Sequence, residues 1–251
     1  VDRKAHAAEI NAEESAPKPA AKPARTRLER QGKKFREAAK LIDKTKQHTL
    51  TEAIELAIKT SPVKFDASAE LHVNLGVDPR QADQNIRDNL VLPAGTGKTV
   101  RIAVLDDAKV EGADISGVET ILNSLEKGEI NFDILIATPA QMAKLGKYAR
   151  LLGPRGLMPN PKSGTVTNDV AKAVSETKAG RVEYRVDSTG IVHLGIGKVS
   201  FGRDKINKNV EAVFTSLKTN KPSSLKGTYV KSVTITTTMG PGVKVLISEL
   251  S

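Results

Sequence analysis

The sequence predicts an α/β fold: a split βαβ layer of α+β character, interrupted by a small parallel α/β unit. Three patterns carry the prediction. A capped amphipathic helix and a strand of period 2 open the folded part. Strand and helix then alternate between Val100 and Leu152. Two strands, a helix and two more strands fill the remainder, and such an α, β … β, β, α, β order suits a split βαβ layer.

The elements follow in order. Residues 1 to about 32 are rich in Ala, Pro, Lys and Glu, with Pro17, Pro19 and Pro23 spaced through them, which predicts a mobile tail. From Lys18 to Lys46 the charges are almost all positive, as in an arm that orders on a polyanion or stays solvated. Regular structure is expected to begin just before Thr49. Thr49-Leu-Thr-Glu52 fits a capping box, Ala53, Ile54, Leu56, Ala57 and Ile58 form a helical stripe, and Pro62 stops it. Leu71, Val73 and Leu75 alternate with Glu70, His72 and Asn74, marking a half-buried strand. Val100 to Leu105 reads as a strand, Val118 to Lys127 as a helix ended by Gly128, and Phe132 to Ala137 as a buried strand. Pro139 suits the first turn of a helix reaching Leu152. Thr167 is the expected cap of a helix that closes at Gly180. Arg181–Val186 and Ile191–Ile196 predict a hairpin across Asp187-Ser-Thr-Gly190. Ile206, Val210, Val213, Phe214 and Leu217 give one face to a helix from Asp204 to Lys218, and strands are expected at Thr228–Thr238 and Val243–Ile247.

Charge is partitioned. Residues 1–48 carry 13 Lys/Arg against 7 Asp/Glu, and residues 179–251 carry 11 against 5, while residues 95–178 hold 11 against 10. If the two basic ends meet, they form one cationic surface suited to nucleic acid; the alternative is that lysine only confers solubility. Cysteine is absent, which excludes disulfides, thiolate zinc sites and cysteine nucleophiles. No apolar run approaches the ~20 residues that span a bilayer, so no membrane partner is expected. Glu9, Glu13 and Glu14 and the lack of an apolar segment argue against a targeting peptide.

Catalytic motifs fail on inspection. Gly95-Thr-Gly-Lys-Thr99 looks like part of a phosphate-binding loop, but position 92 is Leu where the motif needs Gly, and a strand follows in place of a helix. Asp106-Asp107 stands where a dinucleotide site would need glycines. The four histidines lack ligand spacing, and nothing assembles a nucleophile elbow. No enzyme, no metal and no cofactor are expected. Thr236-Thr-Thr-Met-Gly-Pro241 could meet ribose hydroxyls and phosphate, or its threonines could simply favour a strand. With 3% aromatics, any RNA recognition should be by shape and backbone.

Leu151 to Thr165 is the most unusual stretch, with three Pro and three Gly among Leu151, Leu152, Leu157 and Met158. It is too broken for a helix and too apolar for a solvated linker, so it is either a specified surface or a packed connection. Its wording resembles the signature segment of the bacterial L1 family of large-subunit ribosomal proteins. Lys64-Phe65, Leu75-Gly-Val-Asp-Pro-Arg80, Asp83-Gln-Asn-Ile-Arg87, Leu92 to Lys98, Lys178-Ala-Gly180, Ile196-Gly-Lys198 and Thr236 to Gly240 agree with it in order, over about residues 49–247.

The resemblance implies a discontinuous RNA-binding domain, residues 33–94 and 179–251, with a Rossmann-like α/β domain inserted at 95–178. It implies a structural constituent of the large subunit that binds rRNA at the mobile stalk near exit-site tRNA and assists release of deacylated tRNA. Such proteins sit in the cytoplasm on the ribosome beside its other components, and tend to repress their own operon by binding its mRNA. Carried over motif by motif, the RNA-facing set is Glu52, Lys64, Phe65, Arg185, Asp187, Ser232, Thr236, Thr238, Met239 and Gly240. Two departures stand out: the basic N-terminal arm is long, and the interval from Leu105 to Gly117 is too short for the helix the family has there.

Overall fold

A computed structural model describes residues 26, 28–43, 45–106 and 110–247. The expected tail, Lys18 included, lies almost wholly outside the described residues. Regular structure begins earlier than expected, at helix α1, Lys33–Lys40. Phe35, Ala38, Ala39 and Ile42 fall at i, i+3, i+4 and i+7, a helical stripe hidden in a run dominated by cations. Ala38, Ala39 and Ile42 are buried, and the stripe faces Pro241 and Gly242.

Helix α2, Leu50–Lys59, starts at the capping box: Thr49 Oγ1 accepts from the Glu52 amide and Glu52 Oε2 from the Thr49 amide. Thr49→Ala should cost about 1 kcal/mol and lower the melting temperature by roughly 2–4 °C, measurable by circular dichroism. Strand β1, Ser68–Leu75, keeps strict alternation, with Ala69, Leu71, Val73 and Leu75 buried. It is flanked on one side by β7, Ile191–Lys198, and on the other by β8, Val230–Thr237, which pairs with β9, Val243–Val245. All these pairings are antiparallel, so β7 and β8 run parallel to each other with β1 between them. Helix α7, Gly202–Thr219, joins β7 to β8, completing the expected split βαβ layer. α2 and α7 cover one face, where Ile54, Ala57, Ile206, Val210, Val213 and Phe214 join the buried strand residues in one core. Each fully buried aliphatic contributes about 1.5–3 kcal/mol.

The second sheet is parallel, in the order β4, Ile115–Ser116, then β3, Ile102–Leu105, then β5, Ile134–Ala137. All four residues of β3 are buried, as expected of a strand covered on both faces. Ala103 and Leu105 pack towards α3, Val118–Glu126, and the run from Met142 to Leu152. Ile102 and Val104 pack on the opposite side with Val170, Ala173 and Val174 of α6, Val170–Ala179.

Several expectations need correction. The single helix from Pro139 to Leu152 is four short pieces: 3-10 turns at Pro139–Gln141 and Gly146–Tyr148 alternate with α4, Met142–Leu145, and α5, Ala149–Leu152. Gly146 is a poor helix former, and burying Leu145 and Leu152 outweighs helical continuity. The cap of α6 is Asp169, whose carboxylate accepts from the Lys172 amide; Thr167 instead accepts from the Asp169 amide. α6 does close at Gly180, φ 104°, where a Cβ would lie 2.6 Å from the Gly95 Cα. Nor do the two strands around Asp187 form a simple hairpin. Only a bridge from Val186 to Val192 joins them, because β6, Arg181–Arg185, leaves to pair with β2, Arg87–Val91. Arg87-Asp-Asn-Leu-Val91 has weak strand propensity, so its pairing is decided by partners distant in sequence.

Candidate nucleic-acid interface

The Pro/Gly-rich stretch proves to be a packed connection for most of its length. Leu151, Leu157 and Met158 pack on the core beside β5, and Val166 bridges to Ala137. Thr165 Oγ1 accepts from the Asn160 amide at 2.8 Å. Gly153-Pro-Arg155-Gly156 is left exposed at its tip. A polar contact ties the stretch to the β2–β6 ribbon, where Asn89 Nδ2 donates to the Lys162 carbonyl at 3.2 Å; within the ribbon Arg181 holds Asn89 by donating to its Oδ1 at 2.9 Å. Gly95 and Gly97 both have positive φ, 73° and 70°, and β3 follows them, so Gly95–Thr99 lacks the helix N-terminus a phosphate loop needs.

The face of the four-stranded sheet opposite α2 and α7 is polar. Period 2 places Glu70, His72 and Asn74 of β1 there, beside Ser232, Thr234 and Thr236 of β8. His193 and Gly195 extend it on β7. All are half-buried or exposed.

All of the predicted residues except Arg185 and Glu52 lie around this face or at its ends. Lys64 and Phe65 precede β1, and Thr236, Thr238, Met239 and Gly240 end β8, so six meet at one end of the β1–β8 pair. Thr238 locks that end, because its Oγ1 accepts from the Ser68 amide at 2.9 Å. Thr236 Oγ1 donates to the Gly240 carbonyl at 3.2 Å, and a Cβ on Gly240 would collide with Thr237 Oγ1. The turn is therefore rigid while Met239 and Phe65, each 60% exposed, project from it. Ser232 pairs with Asn74 at the other end of β1, about 20 Å away at ~3.3 Å per residue. Asp187 lies at that end too, where its carboxylate accepts from the Ile191 and Thr189 amides and the Thr189 hydroxyl. Those bonds, the Ile191 amide foremost, hold its pKa at about 2. Arg185 is exposed but belongs to the β2–β6 ribbon. Glu52 stands apart in the helix layer, its carboxylate engaged in the α2 capping box beside β9, where His48 bridges to Val245.

Sequence reasoning missed the middle of the face. His72 and His193 are register partners with Nδ1 atoms 2.8 Å apart. Alternation along β1 already placed His72 away from the core; only strand pairing brings His193 to it.

Among the described residues no group of three or more potential ligands converges as a metal centre, and no helix is long and apolar enough to cross a membrane. A rigid turn with projecting apolar groups thus stands beside a polar sheet face lined by hydroxyls. The sequence model of the Ribosomal protein L1p/L10e family matches residues 57–241, and the chain belongs to that family. Its members are structural RNA-binding proteins of the ribosome, not enzymes. The chain is 51% identical over 229 residues to the large ribosomal subunit protein uL1 of Macrococcus caseolyticus (strain JCSC5402), covering 89% of this chain and 99% of that relative. Membership places it on the large subunit of the cytoplasmic ribosome.

Proposed function

We propose that the chain grips a folded junction of large-subunit rRNA at the mobile stalk, where it lies near exit-site tRNA and assists release of the deacylated molecule. The observation that carries this reading is the rigid Thr236–Gly240 turn, locked to Ser68 and presenting Met239 beside Phe65. Lys64 meets phosphate, and the threonine and serine hydroxyls meet ribose. Arg185 and Asp187 reach RNA from the flank, and Glu52 contributes from the helix layer.

The gripping domain is discontinuous, residues 33–94 and 179–251, with 95–178 inserted. In support, the largest core draws on residues 42–92 and 184–245, whereas the two cores around the parallel sheet draw on residues 102–174. The same surface would bind a similar fold in the protein's own mRNA and so repress its translation.

The test is a binding titration at two salt concentrations, against a large-subunit rRNA stalk fragment and a length-matched RNA duplex. A preference for the stalk that survives higher salt is expected. Equal, steeply salt-dependent binding to both would reduce the surface to a non-specific cation patch. Lys18→Ala should lower the salt slope by about 1 without changing that preference.

A further inference from the structure

The His72–His193 pair has no part in the reading above. The rings meet nearly edge to face, with centroids 5.0 Å apart and an interplanar angle of 65°. Nitrogens 2.8 Å apart share a hydrogen, so in the neutral pair one Nδ1–H donates to the other Nδ1 lone pair. The donor ring then has no hydrogen on Nε2. Yet each Nε2 looks towards a carboxylate: Glu70 Oε2 lies 3.8 Å from His72 and Asp187 Oδ2 lies 3.6 Å from His193. A bare lone pair facing a carboxylate is unfavourable. One added proton preserves the Nδ1 hydrogen bond and gives both Nε2 atoms a hydrogen.

We propose that the His72–His193 pair belongs to the RNA-binding face and takes up one proton when RNA docks, so that affinity rises as pH falls through the histidine range. The inference rests on the RNA-binding reading above and adds residues and a proton to it. His72 and Asn74 stand between the two groups of predicted contacts, and His72 is the register partner of Thr234.

The charged groups around the pair are few. Glu70 lies on β1, Asp187 in the turn before β7, and Lys98 reaches the same cleft, of about 410 Å³, from the Gly95–Thr99 segment. β8 offers only the uncharged Thr234 opposite His72. With a neutral pair these groups sum to one negative charge on a face that must accept phosphates; with one proton they sum to zero. Loss of hydration on burial holds His72 below the ordinary histidine value, the His193 charge adds to this, and Glu70 opposes it. Burial thus biases His72 towards its neutral form in the free protein, and the field of the RNA backbone raises the proton affinity of the pair. The gain in affinity is therefore complete below the free pKa and is lost as pH rises through the RNA-bound one.

The experiment measures stalk-fragment binding to the full chain from about pH 5.5 to about pH 8 at constant ionic strength. Calorimetry in buffers of differing ionisation enthalpy counts the protons. The wild type should gain about fivefold to tenfold in affinity from pH 7.5 to pH 6 and take up close to one proton. His72→Gln and His193→Gln should flatten the profile and abolish the uptake, whereas His48→Gln and His6→Gln should keep both. Tight stalk binding by the wild type with no proton uptake would overturn the inference and leave the RNA-binding reading intact. So would uptake undiminished in both pair variants. Absence of stalk preference at every pH would overturn both. The wild-type proton count needs no variant to fold, and thermal melts verify the variants.

Discussion

Met239→Asp is expected to weaken stalk-RNA binding tenfold or more, about 1.4 kcal/mol, while leaving the melting temperature within about 1 °C of the wild type. The two halves of this expectation have separate causes. Met239 is 60% exposed, so removing its side chain opens no cavity. The turn beneath it is held by Thr236 and Thr238 and does not depend on it. The aspartate replaces an apolar contact with a negative charge aimed at phosphates, which repels at close range. Thr238→Ala is the less clean probe: the Thr238 hydroxyl also accepts from the Ser68 amide, so its loss loosens the end of β1 as well as any RNA contact. Filter binding and a thermal melt on the same preparations check the expectation. A loss no larger than that of Lys18→Ala would mean that the turn is not part of the interface.

Asn209→Ala is expected to destabilise the fold by about 3 kcal/mol or more, read as a shift in the denaturant midpoint. Asn209 is fully buried in α7. Its Oδ1 accepts from the Ala94 amide at 2.9 Å, and its Nδ2 donates to the carbonyls of Gly95 at 3.0 Å and Ile196 at 2.7 Å. One side chain thus joins the helix layer, strand β7 and the segment leading into the parallel sheet. Alanine leaves three backbone groups without that partner: the buried Ile196 carbonyl, at about 1–3 kcal/mol, and the part-buried Ala94 amide and Gly95 carbonyl, at less each, with the lost side-chain volume adding to the total. Asn209→Asp separates bonding from volume: it keeps acceptance from Ala94 but turns the donor towards two carbonyls into a charged acceptor. It should be at least as damaging as alanine. A cost below about 1 kcal/mol for both would mean that water takes over the bonds.

The elements most legible in the sequence were those whose signal is local. The Thr49–Glu52 box, the alternation of β1 and the stripe of α7 each involve residues within a few positions of one another, and all three are present. Errors fell where a distant partner decides. β2 has little strand propensity of its own and exists because β6 pairs with it from about 90 residues away. The run from Met142 to Leu152 breaks into short turns because the surface it covers selects which of its residues are buried. α1 escaped notice because its stripe of Phe35, Ala38, Ala39 and Ile42 is embedded in cations, and only the Pro241–Gly242 turn shows what it covers.

The candidate interface divides the same way. Composition and charge partition pointed to a polyanionic partner, and the resemblance in motif order implied an RNA-binding ribosomal protein with a set of expected contacts. They could not show that Glu52 also closes its own helix cap, that Thr238 is a clasp as much as a contact, or that two histidines 121 positions apart share a hydrogen bond. Helix caps, amphipathic stripes and turn residues are legible because backbone geometry confines their interactions to a few neighbouring positions. Which strand pairs with which, and therefore which polar side chains meet on the open face, was left to the tertiary structure, because register is set by the burial of whole faces and not by any one segment.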